Sequence, residues 1–412
     1  MTQPDRQHLM DERVEIELSR WIVRAALAGA DEIEVLAGAC ERMNAAGLAL
    51  VRASVANDLL DPTFDARGVR WLRSHGGLEE PFARRDDPTA HEDWTRSPFF
   101  ALLESRQPML RRRLNADYRQ GEFPMLDQFQ GEGVTDYVAF TSRVGEAVRL
   151  GEGEGIVASF TTDAPGGFTE AQIELLAGIL PALTMVFMLR TMHRTARTVI
   201  TTYLGTDAAE RVLAGNIVRG RAEPIRAVVW FSDLIGFTRI SETASADTVL
   251  ALLNDYAEVQ VEQIESHGGH VLKFIGDGIL AIFPQSDTTL ACQQALKAAA
   301  KHRHDIAALN SRRAASGLPV TDTHVALHVG ELLYGNLGSP RRLDFTVLGP
   351  AVNEAARIEA LCGSLDQNVI VSSAFADAAG EARRQLVGLG RYAMKGVARP
   401  QELFTLDPDA SS

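Results

Sequence analysis

Val228 to Thr238 reads VVWFSDLIGFT. Val228, Val229, Trp230 and Phe231 form an apolar run that predicts a buried strand, with Asp233 at its end and Gly236 three positions on. A carboxylate there costs several kcal/mol unless something pairs with it. A second aspartate offers the partner. In HVLKFIGDGILAIF, His270 to Phe283, two apolar strands flank Gly276-Asp277-Gly278, the signature of a β-hairpin tip. Pairing these strands side by side brings Asp233 and Asp277 to one edge of a sheet, where the two carboxylates repel. A divalent cation between them removes that penalty, and oxygen ligands with phosphate partners are what Mg²⁺ uses. The alternative makes Asp233 a helix cap and Asp277 an ordinary turn residue.

Further residues gather around this pair. Backbone N–H groups of Ile235, Gly236, Phe237 and Thr238 open a helix and are placed to hold a triphosphate. In AVNEAAR, Asn353 and Arg357 lie four apart and share a helical face. An amide and a guanidinium projecting together suit a ribose oxygen and a phosphate that gains charge, although a surface Asn and Arg would look the same. Lys273, between Leu272 and Phe274, shares the face parity of Asp277. Lys395 is either a phosphate contact or solvated.

The rest of the chain sets bounds. A formal charge of −13 over 412 residues argues against nucleic acid or an anionic membrane as the main partner. Cys40, Cys292 and Cys362 lie far apart, which excludes a disulfide scaffold and a cysteine-built zinc site and fits a cytoplasmic protein. The N-terminus has no apolar core of a secretory signal. Leu175 to Leu189 is uncharged, but it is shorter than a bilayer span and is interrupted by Pro181. No membrane span is expected, and burial of this helix in a dimer is.

Residues 12–46 predict two helices, and Leu48–Val55, Asp136–Val144 and Glu154–Asp163 predict strands, with short helices near Ser97 and Phe123 between them. A helix follows Thr169. Its apolar positions step through Leu176, Leu180, Leu183 and Phe187 and then slip to Met192, Ala196, Val199 and Tyr203, a broken heptad. This fits a short parallel coiled coil; a helix packed on its own domain is the alternative. The expected organisation is an α+β regulatory domain over 1–170, a signalling helix and linker over 171–224, and an α+β catalytic domain over 225–408. In the first domain Trp71, Trp94, His75 and His91 either line a pocket or are structural.

FSDLIGFT, KFIGDGILAIF and GPAVNEAARIEAL together resemble the three core motifs of class III nucleotidyl cyclases, in order and at suitable spacing. The resemblance runs from about Arg226 to Leu406. It implies a ferredoxin-like, palm-type βαββαβ domain that pairs head to tail, with active sites at the homodimer interface. It also implies that Asp233 and Asp277, with the backbone of Leu234 or Ile235, hold two Mg²⁺ ions per site, with Mn²⁺ able to substitute. Asn353 then positions the ribose, Arg357 meets the α-phosphate charge and Lys395 contacts the phosphates, all from the partner subunit. Lys273 matches a purine-reading position, and the second such position falls on Thr346, where many family members carry aspartate. Lys273 is a pure donor that suits adenine N1 and opposes guanine N1–H, so ATP is the expected substrate. The N-terminal element order is similar to that of GAF-type sensor domains, with an unrelated α+β dimerisation domain as the alternative. Its signal, a small molecule or a protein, is not readable. Among rival activities, a diguanylate cyclase would need a different hairpin motif, and an inactive cyclase-like module would usually have lost one of these residues.

Overall fold

The computed structural model describes residues 3–58, 66–82, 88–115, 118–146, 155–394 and 400–407. The chain divides into two compact units, Met1–Val199 and Ile200–Ser412.

The first unit opens with helices α1 (Gln3–Leu27) and α2 (Glu32–Ala45), the latter started by a capping box between Asp31 and Glu34. Strands β1 (Leu50–Asp58), β2 (Ala66–Leu72) and β3 (Gly76–Phe82) follow, then α3 (Pro88–Thr95), α4 (Pro98–Ser105), β4 (Met109–Arg113) and α5 (Pro124–Gly131). Strands β5 (Asp136–Arg143) and β6 (Gly155–Thr162) complete an antiparallel sheet of order β3-β2-β1-β6-β5-β4. Strand alternation gives this sheet two faces. Val55, Val69, Val138 and Phe160 pack against α2 and the long helix α6 (Glu170–Leu204), while Ala56, Tyr137 and Val157 face a second core with Leu102, Leu126 and Phe129.

Sequence reading missed β2, β3 and β4. The two tryptophans of the suggested pocket separate as well: Trp71 joins the α2 face, Trp94 packs with the α4–α5 core, and His75 and His91 are exposed.

α6 is the one described helix long and apolar enough to cross a membrane, and 56% of its most apolar window is buried. A core helix of a soluble protein passes the same test. Leu176, Ile179, Leu183 and Phe187 enter the core of its own unit, whereas Met185 and Leu189 are exposed. The stretch expected to be covered by a dimer partner thus finds much of its cover within its own unit.

The second unit begins with α7 (Thr206–Leu213), held by Asp207, which accepts from the Tyr334 hydroxyl at 2.7 Å and pairs with Arg211 at 3.0 Å. Next come β7 (Ala222–Leu234), α8 (Phe237–Thr243), α9 (Ala246–Ser266), β8 (His270–Ile275), β9 (Gly278–Phe283), α10 (Thr288–Ala315) and β10 (Thr323–Ser339). The run β7-α9-β8-β9-α10-β10 is a βαββαβ unit whose strands lie in the order β10-β7-β9-β8, all antiparallel. β11 (Arg342–Leu348) folds back on the far half of β10, and α11 (Pro350–Glu359), α12 (Cys362–Leu365), β12 (Val369–Ser372) and α13 (Ser373–Ala378) follow. β13 (Leu386–Tyr392) and β14 (Gln401–Leu406) extend the sheet beyond β12. Central β7 carries a fully buried Trp230, packed against Phe283 and His302 between the sheet and α10.

Candidate active site

β7 is flanked by β9 and β10, so Asp233 near its C-terminal end emerges at a sheet edge bordered on both sides. The antiparallel register pairs Ser232 with Ile279, which sets the β8–β9 tip beside the end of β7. There the Leu234 N–H donates to Asp277 Oδ2 at 3.3 Å. Only glycine allows this approach: a Cβ on Gly278 would lie 2.2 Å from the Ser232 carbonyl oxygen. The two aspartates therefore converge as the strand pattern predicts.

Beyond β7 the chain turns at Gly236, which adopts the left-handed conformation (φ 65°) before α8. The Ile235 N–H is given to the Asp322 carbonyl at 2.8 Å, and the Ile235 carbonyl accepts from the Thr321 hydroxyl. The Ile235 N–H expected to face a phosphate is thus already spent. Its carbonyl keeps a second lone pair. Gly236, Phe237 and Thr238 stand at the start of α8, which is seven residues long.

The neighbour and the surroundings act on the Asp233 carboxyl together. The Asp233 carboxyl is pushed up to about 7, first by burial, then by its hydrogen bond with Asp277 and the charges of Asp277 and Glu359. Glu359, the last residue of α11, is itself raised by burial and by Asp277. It also lies 3.6 Å from Nδ1 of His324, the residue opposite Asp233 in the β7–β10 register. Among the described residues no group of three or more His, Cys, Asp or Glu side chains has metal-binding geometry. Two carboxylates that repel at a half-buried edge fit a hard divalent cation whose remaining ligands are water or phosphate oxygens.

This proton has a consequence. A carboxyl held above its ordinary value takes up a proton on folding, so stability should fall as pH climbs from about 4 towards about 7 and level off above. In chelator-treated protein the Tm is expected to follow that slope, and Asp233→Asn to flatten it. An unchanged slope in the variant would refute the raised Asp233 carboxyl.

Lys273 on β8 forms an ion pair with Asp344 on β11. Asp344 and Thr346 are two residues apart on one strand and so share a face, which brings Lys273 to the neighbourhood of buried Thr346. α11 is seated by Ala351, Ala355 and Ile358, and Gly330 leaves room for Ala351. Asn353 is exposed and Arg357 half-buried on the same side of this helix. No hydrogen bond or ion pair among the described residues engages either side chain or joins them to the aspartates. Lys395 lies outside the described residues. Sequence reading missed Asp344 and Glu359; the signal for Asp344 was its parity with Thr346.

Residues 222–407 match the family model described as adenylate and guanylate cyclase catalytic domain, so the segment that builds this site is of cyclase type. Adenylate cyclase 1 of Rhizobium meliloti (strain 1021) is 34% identical over 146 residues, 35% of this chain and 22% of that protein. Adenylate cyclase of Anabaena cylindrica is 33% identical over 161 residues, 38% of this chain and 31% of that protein. The crystal structure of the adenylyl cyclase CyaB from P. aeruginosa is similar at 24% identity and a TM-score of 0.42, over 45% of this chain and 95% of that one. The chain spans less than a third of the length of these two curated relatives.

Proposed function

We propose that this protein is an adenylate cyclase that converts ATP to 3′,5′-cyclic AMP and pyrophosphate at a homodimer interface. The observation that carries the reading is the convergence of Asp233 and Asp277 within a segment of cyclase type. Asp233 and Asp277, with a backbone carbonyl of Leu234 or Ile235, would hold two Mg²⁺ ions, for which Mn²⁺ can substitute. When bound, the ions supply Lewis-acid activation of the ribose 3′-hydroxyl and neutralise phosphate charge.

The chain's own residues do the rest. Asn353 from the partner subunit orients the ribose so that its 3′-oxygen stands in line with the α-phosphorus and the pyrophosphate leaving group. Arg357 from the same subunit donates to the α-phosphate oxygens as charge builds there. Lys395 meets the phosphates. Lys273 donates to adenine N1 and the Thr346 hydroxyl accepts from N6, a pairing that guanine, with its N1–H, cannot reproduce.

Residues 1–170 form a GAF-like regulatory domain in this reading, and 171–224 carry its signal to a cytoplasmic catalytic domain at 225–408. The sheet flanked by helices and the long α6 support that organisation. Deleting residues 1–165 and finding unchanged basal and maximal activity would argue against it. The enzymatic reading is tested with purified protein, Mn²⁺ and either ATP or GTP, reading both cyclic nucleotides. Cyclic AMP from ATP is expected. Cyclic GMP alone would overturn the base assignment, and neither product would leave an inactive nucleotide-binding module.

A further inference from the structure

Regular strand alternation would aim Lys273 to the wrong side of its sheet. Val271 stands opposite Ala281 and packs with the core that α10 covers, so the residue two positions on should return to that side. The ladder slips between them instead. Lys273 stands opposite Leu280, and Leu272 is the extra residue of a β-bulge. Residues directly opposite in an antiparallel pair share a side. Leu280 belongs to the core of α7 and α11, so the bulge carries Lys273 over to the side of those helices.

There it meets a strand that no ladder joins to its own: among the described residues β8 pairs with β9 alone, and β11 with β10 alone. β11 is seated by Phe345, whose ring stands edge-on to Tyr334 at 4.8 Å between centroids, and by Val347, both in that same core. Asp344, on the other face of β11 with Thr346, reaches across and ion-pairs with Lys273. Arg341 and Arg342 are nearer to Asp344 in sequence, yet among the described residues neither pairs with it, and Lys273 has no second ion-pair partner. The two side chains are 31% and 54% exposed, so their pairing adds little to stability. Its use lies elsewhere.

We infer that Asp344 is a positioning residue for base recognition, which holds the Lys273 ammonium where it reads adenine N1. This rests on the adenylate cyclase reading and goes beyond it, since Asp344 is neither of the two purine-reading positions and acts through Lys273. A free lysine stem samples many rotamers, and all but one are lost when a base arrives. An ion pair formed beforehand removes that cost from the binding step. The ammonium has three donors, so it can keep Asp344 and still donate to N1. A lysine held in this way also opposes guanine N1–H more firmly than one free to swing aside.

The test uses the full chain with Mn²⁺ and compares Asp344→Asn, Lys273→Ala and the double variant. Asp344→Asn should raise KM for ATP about fivefold, with kcat within about twofold of wild type. The ATP-to-GTP ratio of kcat/KM should fall by a similar factor. In the Lys273→Ala background the same substitution should add nothing, because its route of action is gone. Asp344→Glu should restore most of the loss. Unchanged KM and base preference in Asp344→Asn overturn the assignment, as does an equal penalty with and without Lys273 or a loss confined to kcat. A wild type that makes neither cyclic nucleotide sinks the enzymatic reading alone, because Kd values for 3′-deoxy-ATP across the same four proteins still decide the role of Asp344. Failure of the wild type to bind that analogue overturns both.

Discussion

For the proposed homodimeric cyclase, Asp277→Ala is expected to lower cyclic AMP formation by about 10³-fold or more while leaving the fold and the dimer in place. The side chain sits at a hairpin tip, and its removal costs the fold one hydrogen bond from the Leu234 N–H, about 1 kcal/mol. What it removes from the site is larger. One of two carboxylates disappears, and Asp233 loses its neighbour's hydrogen bond and charge, while burial still holds its carboxyl above the ordinary value. Turnover, Tm and gel-filtration volume measured together separate the outcomes. An active variant refutes the acid pair, and an inactive, unfolded one shows that the tip is structural.

The second large effect concerns which chain supplies which half. Asp233→Ala and Arg357→Ala should each be nearly inactive alone, yet a mixture of the two should recover about one quarter of wild-type activity. In random mixing about half the dimers are mixed, and each mixed dimer owns one site with both an intact acid pair and an intact arginine. The expectation follows from α11, where Asn353 is exposed, Arg357 is half-buried and, among the described residues, no hydrogen bond or ion pair joins either side chain to Asp233 or Asp277. No recovery on mixing would place acids and arginine in one subunit's site. Dilution should abolish the recovered activity along with the dimer.

How much of this was legible depended on whether side chains advertised their surroundings. The Val228–Phe231 run and the Gly276–Gly278 tip did, because a central strand buried on both faces reads as continuous apolar sequence and a tight turn demands glycine. β2, β3 and β4 did not: ARGVRWL, GGLEEPF and MLRRR hide their alternation behind arginines and glutamates that ion pairs or a half-covered sheet edge accommodate. Helical spacing put Asn353 and Arg357 on one face of a helix, and both lie on α11. Glu359 was not, since its role depends on where α11 ends over the sheet, and Asp344 was read past in favour of Thr346.

The proton held on the raised Asp233 carboxyl gives calorimetry a handle that no sequence offers. A carboxyl pushed up to about 7 keeps a proton on part of the molecules near neutrality. Any cation that settles between these oxygens must expel it into the medium. Heats of Mn²⁺ binding recorded in buffers of small and of large ionisation enthalpy should therefore differ, by an amount that counts the hydrogen ions set free.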